Sequence, residues 1–187
     1  MKRKLLIIDT ETSGLDPQKN CILSLAAVVY HDGGIEDAAQ WPVMDALGEF
    51  DPAALTVNGF THERVLADGI SPWGVIRRLE QLLLKHDMRG RVVLAGHNLP
   101  FDVGFLQRLY RLAQEDYGKQ FTHGGLDTKV AALLLEQAGR LRFDSPSLVD
   151  VAAALGIKHN VAHDALEDAL VTAQVLRRLV DRIHVAG

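Results

Sequence analysis

Hydrophobic and polar positions change period several times along this 187-residue chain, and each change predicts an element. Leu5, Leu6, Ile7 and Ile8 run without polar alternation, the pattern of a strand buried on both faces. A turn-like GLDPQKN leads to ILSLAAVVY, a second strand. HDGG then supplies the positive-φ residues of a tight hairpin into a third strand, IEDAAQWPV. Residues 71–86, SPWGVIRRLEQLLLKH, place Val75, Leu79, Leu82 and Leu83 at helical spacing behind a Ser-Pro start. RVVLAG reads as another short buried strand. HNLPFDVGFLQRLYRLAQ is an amphipathic helix with Phe101, Phe105, Leu109 and Leu112 on one stripe, Pro100 being tolerated in the first turn. GLDTKVAALLLEQ reads as a short strand entering a helix, and SLVDVAAALG as a brief helix stopped by Gly156. GRLRFDSPS, residues 139–147, is an extended loop, and a long helix runs from about Asp164 to the end.

This order predicts an α/β topology. The hairpins lay strands two and three to one side of strand one, and a helical crossover brings RVVLAG back parallel on the other side. In open α/β sheets, ligands bind at the carboxyl ends of the strands beside such a switch point. Asp9 and Glu11 lie there, as do His97, Asn98 and Asp102.

Composition narrows the setting. The chain fits one domain, residues 1–187, with 48% hydrophobic residues to build its core. The basic start MKRK followed by LLII imitates a signal peptide, but Asp9 ends the apolar run early, and no later stretch is long enough to span a bilayer. A soluble protein without a membrane partner is expected. The single cysteine, Cys21, has no disulfide or zinc partner, which fits a reducing compartment, the cytoplasm by default. A net charge of -4 argues against a broad duplex-binding surface, so any nucleic-acid footprint should be small.

The candidate chemistry is acidic. Side chains two apart on a strand share a face, so Asp9 and Glu11 set two carboxylates roughly 7 Å apart at the rim of a core, a placement that calls for a cation between them. Asp164 and Glu167 have capping-box spacing, which starts the last helix just after Asp164. His163 then lies on the entering loop, from where it can converge with Asp168. Each feature alone has an ordinary explanation. Asp9 and Glu11 read as turn residues, and Asp102 as an ionised complement to a helix N-terminus. Asp168 reads as part of a polar helix face, and His97 and His163 as satisfied histidines. Phe60 and Phe101 read as core, and Arg140, Arg142, Arg177 and Arg178 as solvated surface.

Taken together, DTETSGL, GHNLPFDVGFL and HDALEDA resemble the three motifs of the DEDDh family of 3'-to-5' exonucleases, which includes the proofreading subunit of bacterial replicative polymerase, RNase T and oligoribonuclease. FDPAALTVNGFTHE, the LDT after the second crossover and SLVDVAAALGI extend the resemblance over nearly the whole chain. Ser24 and Ala26 stand where relatives often have Glu and Gly, which blurs the subfamily. No tail follows the last helix, so the expectation is a free-standing enzyme or an excised domain.

The resemblance implies a ribonuclease H-like fold, a mixed five-stranded sheet flanked by helices. It also implies metal-dependent hydrolysis of phosphodiester bonds at the 3' end of single-stranded DNA or RNA, releasing nucleoside 5'-monophosphates. The implied metal ligands are Asp9, Glu11, Asp102 and Asp168, holding two Mg²⁺ or Mn²⁺ ions, with His163 as general base. Asp9 would bridge the ions, Glu11 and Asp168 complete one, and Asp102 hold the other. Thr12, Gly14, Leu15, Phe60 and Phe101 are the expected substrate contacts. His97 and Asn98 are expected to shape the crevice. A homodimer or a polymerase partner stays open. Two other readings remain: a non-catalytic accessory subunit on the same fold, which would lack an acidic residue, and a HAD-type phosphatase, which would want Asp at Glu11 and a later Lys and Asp-Asp set.

Overall fold

The computed structural model describes residues 3–52, 54, 61–159 and 164–184. Its five strands are β1 (Leu5–Thr12), β2 (Ile22–His31), β3 (Gly34–Pro42), β4 (Val92–Gly96) and β5 (Phe121–Asp127), joined in one sheet of order β3-β2-β1-β4-β5. β1–β2 and β2–β3 are antiparallel, whereas β1–β4 and β4–β5 are parallel, so the pairing direction changes at β1 as the sequence predicts. The β2–β3 hairpin turns through Asp32 (φ 50°) and Gly33 (φ 86°), the left-handed pair that matches strand twist.

The described helices are α1 (His62–Asp68), α2 (Pro72–Lys85), α3 (Leu99–Leu112), α4 (Tyr117–Gln120), α5 (Thr128–Gln137), α6 (Leu148–Ala154) and α7 (Ala165–His184). Ser71 caps α2 by accepting from Gly74 N, with Pro72 in the first turn. Gly156 (φ 71°) follows α6 in the left-handed conformation that ends it. Residues 141–147 contain neither helix nor strand, in keeping with the expected loop. β5 starts at Phe121, well before the GLD of the sequence reading, because its exposed Gly-rich middle hides the strand period. The four-residue α4, capped by the Asp116 carboxylate on Gly118 N, is too short to show a helical period.

Two layers cover the sheet, and alternation along β1 decides which residue meets which layer. Leu6 and Ile8 pack with Leu79 and Leu83 of α2 and with Phe105 and Leu109 of α3. Ile7 belongs to the other layer, with Ala26, Val28 and the α7 stripe Ala165, Ala169 and Ala173, whose small side chains let the helix lie close. Leu176 extends that stripe. Val171, Val175 and Leu179 of α7 turn instead to α5 and α6, where Ala132, Leu135, Val151 and Leu155 complete a separate core. Truncating fully buried Phe105 to alanine would cost about 3–5 kcal/mol. No helix among the described residues is long and apolar enough to cross a membrane. Cys21 is a buried free thiol.

Candidate active site

The side-chain alternation that builds the core also builds the site. Asp9 and Glu11 follow Ile7 on the α7 face of β1, whereas Thr10 follows Ile8 toward α3. The β1–β2 register shifts between Glu11 and Thr12, a bulge that re-aims the strand end. Across the ladder, Ala26 pairs with Asp9 and Ser24 with Glu11, so the two positions that depart from the family pattern directly face the two carboxylates.

α7 delivers the third carboxylate. Its first turn is capped by Asp164, whose Oδ1 accepts from Leu166 N and Glu167 N at 3.1 Å each, as the capping-box spacing predicts. Asp168 lies one turn into the helix beside the Ala165–Ala169 stripe. Asp9, Glu11 and Asp168 each offer a carboxylate oxygen, and these three atoms all lie within 4.8 Å of one another. His159 Nε2 lies 2.5 Å from Asp168 Oδ1.

Asp102 approaches from the opposite layer, in the first turn of α3, where it is only 3% exposed. Thr10 Oγ1 donates to its Oδ1 at 2.8 Å. The sequence reading had it ionised at a helix N-terminus. Burial overrides that helix terminus and pushes the Asp102 carboxyl up to about 7, against the opposing pull of the Thr10 bond.

Like charges reinforce burial at the other positions. Glu11 is raised to about 7, first by burial and then by Asp168, Asp164 and Asp102. Asp9 is pushed well above the carboxylate range by burial, then by Asp102, Asp168 and Glu11. Among the described residues, no lysine or arginine pairs with Asp9, Glu11 or Asp102. Hard carboxylate oxygens gathered this closely could hold a divalent cation.

The remaining expected positions divide. Thr12 Oγ1 donates to the Gly14 carbonyl at 2.7 Å, which folds the chain directly after β1. A Cβ on Gly14 would collide with the Asn20 side chain and push it from its bonds to Asp16 N and the Glu49 carbonyl. Leu15 is 82% exposed at the rim. Phe101 is half-buried, its ring 5.1 Å from that of Phe105, on the edge of the α3 core. Phe60 and His163 lie outside the described residues.

His97 sits between the Thr128 hydroxyl (2.9 Å) and the Pro146 carbonyl (3.0 Å), and that carbonyl requires Nε2 to carry the proton. It ties the 141–147 loop to the end of β4. Asn98 (φ 67°) begins α3, and its N–H donates to Asp127. Both residues therefore shape the crevice.

The sequence profile of the exonuclease family RNase_T matches residues 6–176. The chain belongs to this exonuclease family. It is 30% identical over 183 residues to the PolC-type DNA polymerase III of Thermotoga petrophila, covering 97% of this chain and 12% of the polymerase. It is 28% identical over 187 residues to the 3'-5' DNA exonuclease Cap18 of Escherichia coli, covering 97% and 94% of the two chains. The structure of E. coli Exonuclease I in complex with a dT13 oligonucleotide matches with a TM-score of 0.79 at 20% identity, over 98% of this chain and 42% of the other. That likeness shows the shared ribonuclease H-like fold. The chain thus spans a small part of the polymerase and less than half of Exonuclease I.

Three supporting residues carried little or no signal in the sequence. Thr10, inside the DTE motif, points away from its neighbours and bonds a residue 92 positions later. A polar side chain between two carboxylates at a strand end was the available signal. Asp127 accepts from the backbone of Asn98, Leu99 and Lys129, and so caps α3 and α5 together; its place before a helix suggested only the second cap. His159 carried no local signal, since only the fold brings it to Asp168.

Proposed function

We propose that this exonuclease removes nucleotides from the 3' end of single-stranded nucleic acid, hydrolysing the terminal phosphodiester bond and releasing nucleoside 5'-monophosphates. The observation that carries the reading is the convergence of Asp9, Glu11 and Asp168 within 4.8 Å, with the proton affinities of Asp9 and Glu11 raised by burial and by the neighbouring carboxylates. Two divalent ions, Mg²⁺ or Mn²⁺, would supply an activated water and charge stabilisation on the attacking and leaving oxygens. Asp9, Glu11 and Asp168 would hold one ion, and Asp102, from the other layer, would hold the second with a share of Asp9. Glu11 and Asp102, with proton affinities near neutrality, give up protons as they become ligands. His163 takes the proton of the attacking water, a role suited to an imidazole. Thr12, Gly14 and Leu15 receive the terminal nucleotide, with exposed Leu15 against a base and Phe60 and Phe101 offering apolar faces.

The whole chain acts as one exonuclease domain, on DNA or RNA, in a reducing compartment such as the cytoplasm where the buried Cys21 thiol stays free. A polymerase is the protein partner that fits the likeness to part of a PolC-type polymerase, and a second copy of the chain is the alternative. The test is digestion of matched 3'-labelled single-stranded DNA, RNA and two-nucleotide RNA with Mg²⁺. Stepwise mononucleotide release from linear substrates supports the reading. Undiminished activity in excess chelator, or equal cleavage of a circular strand, overturns it.

A further inference from the structure

Arg140 and Arg178 read singly as solvated surface, but the fold brings them together with Arg182. Val171, Val175, Arg178 and Arg182 lie at i, i+4, i+7 and i+11 on α7, so the two arginines continue the stripe that packs on α5 and α6, past the point where that core ends. There the chain leaving α5 crosses α7. The Arg182 guanidinium donates to the Arg140 carbonyl at 2.8 Å, and the Arg140 guanidinium donates back to the Arg182 carbonyl. The reciprocal pair holds both side chains in place. A concave groove of about 430 Å³ results, with Leu155 as an apolar floor and Arg140, Arg178, Asp181 and Arg182 as walls. Among the described residues none of the three arginines has a carboxylate at ion-pair distance. Three positive charges against one negative gather here in a chain of net charge -4.

The groove is connected to the catalytic end by geometry. At about 1.5 Å rise per residue, Arg178 and Arg182 stand roughly 15 and 21 Å along α7 from Asp168. Residues 140–146 run between the same two places, beginning at Arg182 and ending where the Pro146 carbonyl meets His97. Exposed Arg142 lies on that path. At about 3.4 Å per stacked nucleotide, the span from Asp168 corresponds to roughly four to six nucleotides.

We propose that this arginine groove holds the backbone phosphates of the strand about four to six nucleotides upstream of the 3' end under hydrolysis. It rests on the exonuclease reading and adds a binding site that the catalytic residues do not include. Guanidinium groups fixed by backbone bonds, with their remaining N–H groups facing a groove, suit phosphate oxygens. An apolar floor suits a stacked base or sugar.

The test compares long and short strands. Fluorescence anisotropy of 5'-labelled dT20 gives Kd across a salt series, and the cleavage of dT3, too short to reach the groove, gives kcat/KM. Arg178 makes none of the bonds that lock the groove, so Arg178→Glu should leave the fold intact. Its Kd for dT20 should rise about tenfold, and the slope of log Kd against log salt should fall by about 0.7 for the lost phosphate contact. Arg178→Gln should change both in the same direction by less, and Arg178→Lys should stay within about twofold of wild type. Cleavage of dT3 should be unchanged in all three. Equal Kd and equal salt slope for wild type and Arg178→Glu would overturn the proposal, and so would an equal loss on dT3 and dT20. Anisotropy needs no turnover, so a protein that binds dT20 through the groove but cleaves nothing would sink the exonuclease reading alone.

Discussion

Two places in this molecule bury carboxylates beside α3, and they resolve the problem in opposite ways. Asp45, 1% exposed, is met by Arg108 in a two-pronged pair, Nε to Oδ2 at 2.6 Å and Nη2 to Oδ1 at 3.1 Å. Ile22 N and Leu47 N donate to the same carboxylate, and Arg108 Nη1 reaches the Pro17 carbonyl at 3.4 Å. Arg108 and Asp45 match each other's charge, and the pair stitches α3 to the segments on either side of the β2–β3 hairpin. Six residues earlier on the same helix, Asp102 faces Asp9 and its acidic neighbours, and among the described residues no lysine or arginine pairs with it. A buried acid that owns its cation is complete when the protein folds. Asp9, Glu11 and Asp102, beside which no lysine or arginine stands among the described residues, are complete when something cationic arrives from outside, and that difference separates the structural from the chemical use of the same side chain.

The largest expected break concerns the unmatched site. Asp9→Asn removes a carboxylate that faces Asp102, Asp168 and Glu11 together and should lower nucleotide release by roughly three orders of magnitude or more, as should excess chelator on wild type. Undiminished release in either experiment would place the chemistry elsewhere. Next comes His163→Ala, for which turnover should fall by roughly two to four orders of magnitude while Mg²⁺ binding by calorimetry stays close to wild type. Normal turnover would make His163 a structural residue.

The matched site should respond in stability instead. Arg108→Met leaves Asp45 buried without its cation, and should destabilise by about 3–5 kcal/mol, a drop of roughly 10 °C in Tm for a chain this long. Glu11→Gln gives the contrast: in chelator it should melt at or above the wild-type temperature, because it relieves repulsion rather than breaking a pair. Asp168 is a less clean probe, since its neutralisation would also weaken the contact with His159. The same Glu11→Gln protein should lose most of the stabilisation that Mg²⁺ gives wild type, about 2.7 kcal/mol at 100 times the dissociation constant. Equal metal shifts in the two proteins would remove Glu11 from the site.

The smallest effect is a pH dependence of defined sign. Glu11 and Asp102 titrate near 7 in the folded protein and near 4 when unfolded, so between those values the folded state binds more protons. Metal-free protein should therefore gain stability as pH falls from about 8 toward 5, and lose that contribution as pH rises through 7. Metal binding needs the same carboxylates unprotonated, so the Mg²⁺-induced rise in Tm should be larger at pH 8 than at pH 6. A metal shift that does not vary with pH would mean that neither residue changes protonation on binding.

Much of this was legible in the chain itself. Unbroken apolar runs specified β1, β2 and β4, and the Asp32-Gly33 turn and the Ser71 and Asp164 caps could be placed from local chemistry alone, because each acts over a few residues. The resemblance to the exonuclease motifs pointed to Asp9, Glu11, Asp102 and Asp168, and a period of two on a strand put Asp9 and Glu11 on one face. What the sequence left open is set by contacts between distant segments. The two-layer alternation sends Thr10 to Asp102 while Asp9 and Glu11 turn to Asp168, and it brings His159 to Asp168 and Arg108 to Asp45. Proton affinity belongs to the same category: Asp102 at a helix N-terminus reads as an ordinary ionised acid until burial pushes it up to about 7. Which carboxylate has a cation, and which must find one, depends on desolvation and on neighbours up to 92 residues away, and those exist only once the layers have closed on the sheet.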